Sequence, residues 1–200
     1  MVKFVKKLFY AMVNSIKKHI FLFKLSAKEL QNTRRLALAG MLLALYAVLG
    51  LIKIPLFTPD NRITFTFAAT AAAGMVLGPV PAMLVGGLGD ILGYILNPGG
   101  GAYFFGFTIS GMLGGLIYGI CLYKARGKWT IVRIIIAVFI VTLFVNIILN
   151  TCWLSIMYAK AYQIFAAARI IKNLVAFPVH VAVIFAVYLL LDRVNLYKKL

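Results

Sequence analysis

Apolar positions in this chain run on for close to the length of a bilayer crossing, and short polar or Gly/Pro breaks separate the runs. The pattern predicts six membrane-spanning helices: about Leu36–Ile54, Ile63–Leu77, Pro81–Leu96, Phe107–Tyr123, Ile131–Thr151 and Ile170–Leu191. The second and third runs are short, so they are expected to be tilted, shielded by neighbours or broken. Ahead of them, residues 1–30 alternate Lys3, Lys6, Lys7, Lys17, Lys18 and Lys24 with Phe4, Leu8, Phe9, Met12, Ile16 and Phe21. This reads as a basic amphipathic arm on an anionic membrane surface. The expected fold class is thus an all-α integral membrane bundle, with the arm over 1–30 and a six-helix transmembrane domain over 31–200.

Composition agrees and charge adds direction. The chain is 64% hydrophobic and 12% charged, with four acids against 21 Lys plus Arg, too few charges to cover a soluble domain of this size. A net charge of +17 would suit a nucleic-acid binder, but the bases bracket the apolar spans as membrane topology requires, so no nucleic-acid partner is expected. The stretch Lys3 to Arg35, the loop holding Lys124, Arg126, Lys128 and Arg133, and the tail with Arg193, Lys198 and Lys199 fall on one side. Only Lys53, Arg62, Lys160, Arg169 and Lys172 fall on the other. Both termini are therefore expected in the cytoplasm. The first apolar run is short and no small-residue cleavage site follows it, so no secretory signal is read.

The outward bases carry the candidate chemistry. Lys53 and Lys160 read as interfacial residues that reach headgroups with long stems. Arg62 opens the second span, and Arg169, Lys172 and Asn173 share one helix face at i, i+3 and i+4. Among the acids, Asp60 alone falls on that side to pair with them, so they suit an anionic ligand, with arginine able to grip a carboxylate through two N–H groups. Asp90, the only acid inside a predicted span, lies about seven residues, roughly 10 Å, below Asn97. Its insertion costs on the order of 2.5–3.5 kcal/mol, which marks it for ligand recognition, a hydrogen-bond hub or proton coupling. The run Asn97 to Tyr118, NPGGGAYFFGFTISGMLGGLIY, adds Tyr103 and Phe107, and Trp153 stands at the outer end of the fifth span. The ligand these residues describe has a flat aromatic part and at least one carboxylate.

Small residues describe packing. Gly111, Gly115 and Gly119 repeat every four residues, as do Gly89 and Gly93, and are read as helix contacts inside the bundle. Ala37, Gly40, Ala44 and Ala47 form a stripe on the first span, a place to pack internally or to dock another membrane protein. Catalysis has no support: the chain lacks HExxH, GxSxG, GxxxxGK[ST] and paired carboxylates, so it is not expected to be an enzyme. Cys121 and Cys152 have no metal-ligand spacing, and His180 reads as a hydrogen-bonded bundle residue. No metal or cofactor is expected, and any energy from ATP must come from another subunit.

The motifs KELQNTRRLALAGMLLALYAVLG (Lys28 to Gly50), RITFTF (Arg62 to Phe67), GMVLGP (Gly74 to Pro79) and GGLGDILGYILNPGG (Gly86 to Gly100) resemble a known family. YFFGFTISGMLGGLIYG (Tyr103 to Gly119), NTCWLSIMY (Asn150 to Tyr158) and RIIKN (Arg169 to Asn173) continue the resemblance, which covers roughly residues 25–190. The family is the substrate-binding S-components of energy-coupling factor (ECF) vitamin transporters, most closely the folate-specific type. Phe105 stands where that family usually has proline, Ala68-Ala69-Thr70-Ala71 lacks a proline often found there, and Gly40 replaces a common alanine. The resemblance implies a multi-pass protein of a bacterial cell membrane that binds folate outside and reorients in the membrane. Its implied partners are a transmembrane coupling subunit, docked on Ala37, Gly40, Ala44 and Ala47, and two ATPase subunits. It implies Arg62, Arg169 and Lys172 on the glutamate carboxylates, Asp90 and Asn97 on the pterin edge, and Tyr103, Phe107 and Trp153 as apolar walls. The competing readings are another anionic vitamin or precursor, a proton-coupled secondary transporter using Asp90, and a membrane scaffold without a ligand.

Overall fold

A computed structural model describes residues 23–28, 30–52, 54–56, 58–98, 103–158 and 162–194. Most of the basic arm, Lys53, Gly99-Gly100-Gly101 and Lys160 lie outside the described residues, as does the side chain of Arg62. A helical segment (α1, described over 23–28) leads into α2 (Thr33–Leu51), whose N-cap Asn32 accepts a hydrogen bond from the Arg34 N–H at 3.0 Å. Where the pattern predicted the end of one span and the start of the next, two short strands pair as a hairpin. β1 (Ile54–Leu56) runs antiparallel to β2 (Thr58–Ile63), with Pro55 opposite Arg62. Pro55 and Pro59, which helices exclude from their interiors, explain why the apolar run breaks into strand here.

The other described elements are helices: α3 (Thr66–Val76), α4 (Pro79–Leu96), α5 (Phe105–Leu122), α6 (Thr130–Ile140), a π-helical stretch (Val141–Leu149), α7 (Asn150–Tyr158) and α8 (Tyr162–Arg193). Among the described residues, five helical rods are long and apolar enough to cross a membrane, with α6, the π stretch and α7 joined into one of them. Their outward faces carry Met41, Val48, Ile136, Phe139, Leu174 and Leu190, all exposed, which is the lipid-facing pattern of a multi-pass membrane protein. The second predicted span is shorter than expected. At 11 residues, about 16 Å, α3 falls well short of a bilayer core. It is shielded instead: Ala68 through Val76 are buried inside the bundle.

Close backbone approach holds α4 and α5 together. A Cβ on Gly86 would run into the Gly111 carbonyl, one on Gly115 into the Ala82 carbonyl, and one on Gly119 into Pro79. Gly74 of α3 meets the backbone of Tyr118 and Gly119 in the same way, and Gly89 packs on the Tyr46 ring. The predicted packing role of the Gly111–Gly119 stripe is therefore borne out, while Gly93 faces open space. Met75, Leu77, Leu122, Ile134, Val138, Ile184 and Tyr188 fill one end of the bundle.

That end is latched by Ser26. Its hydroxyl donates to the Leu77 carbonyl at 3.1 Å and accepts from the Val80 N–H at 3.0 Å, bridging the turn at Gly78 (φ +94°) between α3 and α4. Ser26→Ala strands a carbonyl and an amide at once. We expect a loss of about 1–3 kcal/mol, read as a lower melting temperature in detergent. An unchanged melting temperature would mean that the turn holds without α1.

Candidate ligand-binding site

The other end of the bundle is hollow. A cavity of about 280 Å³ opens between α3, α4, α5, the π stretch and α8, close to the lower bound of about 300 Å³ for small-molecule pockets. It follows α5 from Phe107 to Tyr118, about 16 Å at helical rise, and the buried Tyr118 closes its floor against the apolar end.

Each wall has its own chemistry. On the α4–α5 side Gly86, Gly111, Gly114 and Gly115 present backbone, with Asp90, Phe107 and Ser110 as the functional side chains. Asp90 Oδ2 accepts a hydrogen bond from the Thr108 hydroxyl at 2.8 Å, and Thr108 Oγ1 lies 2.5 Å from the Tyr103 hydroxyl. Because the Thr108 proton goes to the carboxylate, Tyr103 must be the donor to Thr108. Ser110 is backed by Trp153, whose Nε1–H donates to its hydroxyl at 3.1 Å. Phe107 is backed by Phe104 at 6.0 Å between ring centroids, and Phe104 by Trp153 at 5.8 Å.

The α3 side contributes Thr64, Thr66, Phe67 and Thr70, with Tyr46 from α2. Facing it, α8 lines the cavity with Arg169, Lys172, Asn173, Ala176 and His180, which continue the single face predicted for the first three. The His180 ring lies 4.0 Å from that of Phe67, between centroids. Asn173 Nδ2 donates to the Arg169 carbonyl at 2.9 Å, which ties the side chain to its own helix.

Arg169 is held from the opposite rod. Its Nη1–H donates to the Asn146 carbonyl at 3.1 Å, while the buried Nε has no hydrogen-bond partner among the described residues. The carbonyl comes from the π stretch, where i→i+5 winding also lines up residues five apart. Val141 with Asn146, and Val145 with Asn150, thereby face the cavity together.

Five predicted site residues line the cavity: Asp90, Phe107, Arg169, Lys172 and Asn173. Asn97 caps the C-terminal end of α4 outside the lining. Tyr103 and Trp153 also stand outside it and reach it through Thr108 and Ser110. Arg62 lies on β2, two residues before the lining Thr64. The sequence reading missed Tyr46, the three threonines, Ser110, Asn146, Asn150 and the cavity role of His180. For His180 a signal existed, since it falls 11 residues after Arg169, on the same α-helical face.

Fold and cavity together define a helical, multi-pass membrane protein with a small-molecule-sized cavity between its helices. The chain belongs to the ECF transporter substrate-specific components, whose family model matches residues 34–188. It is 39% identical over 142 residues to the folate transporter FolT of Clostridium novyi (strain NT), covering 71% of this chain and 81% of the relative. It is 35% identical over 158 residues to FolT of Leuconostoc mesenteroides subsp. mesenteroides, covering 76% and 83%. A crystal structure of FolT bound with folic acid superposes with a TM-score of 0.68 at 36% identity, covering 77% of this chain and 92% of that one. The family is a transporter's substrate-binding component and not an enzyme.

Proposed function

We propose that this protein is the folate-binding S-component of an ECF importer in the cell membrane. The observation that carries the reading is the guanidinium of Arg169. With Nη1 engaged by Asn146 and the buried Nε unpaired among the described residues, the guanidinium keeps donor capacity for a carboxylate, with Lys172 one turn away for a second. Asp90 is the only carboxylate among the described lining residues, and it suits the N–H donors of a pterin edge. Phe107 forms the apolar wall. Tyr103 and Trp153 brace Asp90 and Ser110 from behind, Asn97 closes the pterin end, and Asn173 and Arg62 complete the anion end. The names of the FolT relatives support the same cargo.

In this reading α3 is the short sixth crossing, and the distribution of bases supports cytoplasmic termini. Ala37, Gly40 and Ala44 are exposed on α2, a Cβ on Gly40 would meet nothing within 4 Å, and Ala47 borders them at 9% exposure. This smooth face suits docking on a transmembrane coupling subunit, with two ATPase subunits driving reorientation.

Calorimetric titration of the detergent-purified protein tests the cargo. Saturable heat with folate, and none with thiamine or pantothenate, is expected; tight binding of a different vitamin would discard folate. Asp90→Asn still accepts the Thr108 hydrogen bond but loses the charge. Folate affinity should fall roughly 10–100-fold, as for a hydrogen bond to a charged group worth about 1.5–3 kcal/mol. Uptake that collapses with a protonophore yet ignores the ATPase subunits would favour proton coupling through Asp90 instead.

A further inference from the structure

In the folate reading above Arg169 holds one carboxylate of the cargo, and Asn150 stands on the rod whose carbonyl holds Arg169. Asn150 lines the cavity four residues after Asn146, whose carbonyl holds the guanidinium. Its side-chain oxygen Oδ1 is buried and accepts no hydrogen bond from any described residue. Buried amide oxygens are nearly always paired, because an unpaired one forfeits its hydration. Thr151 Oγ1 is buried and unpaired as well, but Thr151 does not line the cavity. Asn150 Oδ1 is therefore an unpaired acceptor on a residue that lines the cavity, one turn from the carbonyl that holds Arg169.

We infer that Asn150 Oδ1 accepts the amide N–H bonded to the same carbon as the carboxylate held by Arg169, so that the two residues together read an N-acyl α-amino acid. The inference rests on the folate reading above and specifies its glutamate end. In an N-acyl amino acid the N–H donor and the anionic acceptor are neighbours on one carbon. On the protein, Arg169 is held by the Asn146 carbonyl, and Asn150 stands one helical turn along the same rod from Asn146. An acceptor-only oxygen rejects an ester or a tertiary amide, because neither supplies a proton. Asn150 thus becomes a specificity-determining residue that charge alone does not provide.

The test is calorimetric titration of the full-length protein in detergent with folic acid and with its ester analogue, in which oxygen replaces the glutamate amide N–H. The native protein should bind the ester about tenfold more weakly. In Asn150→Leu, folic acid should weaken by about the same factor and the two ligands should then bind alike, since the discriminating acceptor is gone. Equal binding of both ligands by the native protein overturns the inference without any variant and leaves the folate reading standing. Persistence of the tenfold preference in a folded Asn150→Leu, or in Asn150→Ser should the leucine variant not fold, also overturns it. Absence of folic acid binding by the native protein overturns the folate reading and this inference with it.

Discussion

Replacing Arg169 with alanine is expected to weaken folate binding by roughly 30–1,000-fold, the consequence of removing one partner of a buried, hydrogen-bonded charge pair worth about 2–4 kcal/mol. The guanidinium is pre-positioned: Nη1 is spent on the Asn146 carbonyl, and Nε waits in a buried position without a partner among the described residues. Little conformational freedom is left to lose on binding, so the contact with a carboxylate keeps most of its strength. Arg169→Lys should recover part of the loss, because an ammonium supplies charge without the planar fork. The fold should hardly notice either change, since one hydrogen bond to a carbonyl is at stake, and melting temperatures should fall only slightly. Isothermal titration separates the cases. An unchanged dissociation constant in Arg169→Ala would move the anion site to Lys172 or Arg62.

The largest loss of stability is expected from Gly86→Val. A Cβ there meets the Gly111 carbonyl, which belongs to a helix backbone and cannot swing aside as a side chain can. Overpacking commonly costs about 1–3 kcal/mol when side chains can yield. Here α4 and α5 must separate along the whole line of Gly86, Gly111, Gly115 and Gly119, so the cost should exceed that range. Folate binding should vanish with it, because this seam forms one wall of the cavity. Size-exclusion chromatography and thermal melting in detergent give the readout. A monodisperse Gly86→Val protein with native affinity would show that the helices do not approach as closely as described. Gly93→Val is the matched control: no atom lies within 4 Å of a Cβ there, and little should change.

How far the sequence carries is seen best in individual elements. The long apolar runs gave α2, α4, α5, the Thr130–Tyr158 rod and α8, because hydropathy over a bilayer length needs no knowledge of neighbours. It gave α3 poorly, since an 11-residue helix survives only by burial among other helices, which no local pattern records. The hairpin over Ile54–Ile63 fell in the connection between the first two predicted spans, where no periodic pattern announced the pairing. Arg169, Lys172 and Asn173 were legible because the α-helical spacing that groups them is the spacing the chain adopts. Asn146 and Asn150 were not. They stand four residues apart, as Arg169 and Asn173 do, but they are uncharged residues inside an apolar run, and Val145 joins Asn150 on that side through the π winding. Tyr103 and Trp153 stand outside the lining, and their links to the cavity run through Thr108 and Ser110, two residues without any distinguishing pattern.

The backbone-built wall of the cavity has a consequence for how such a protein diverges. Gly86, Gly111, Gly114 and Gly115 offer no side chains to vary, and at Gly86, Gly111 and Gly115 packing between α4 and α5 forbids adding them. That strip of the binding surface is therefore closed to gradual mutation. A descendant that came to prefer a different cargo has the facing rods to change instead, at Asn146, Asn150, Arg169, Lys172 or His180. Substitutions at those five positions are where a shift in cargo would first be written, while the glycine wall stays the same.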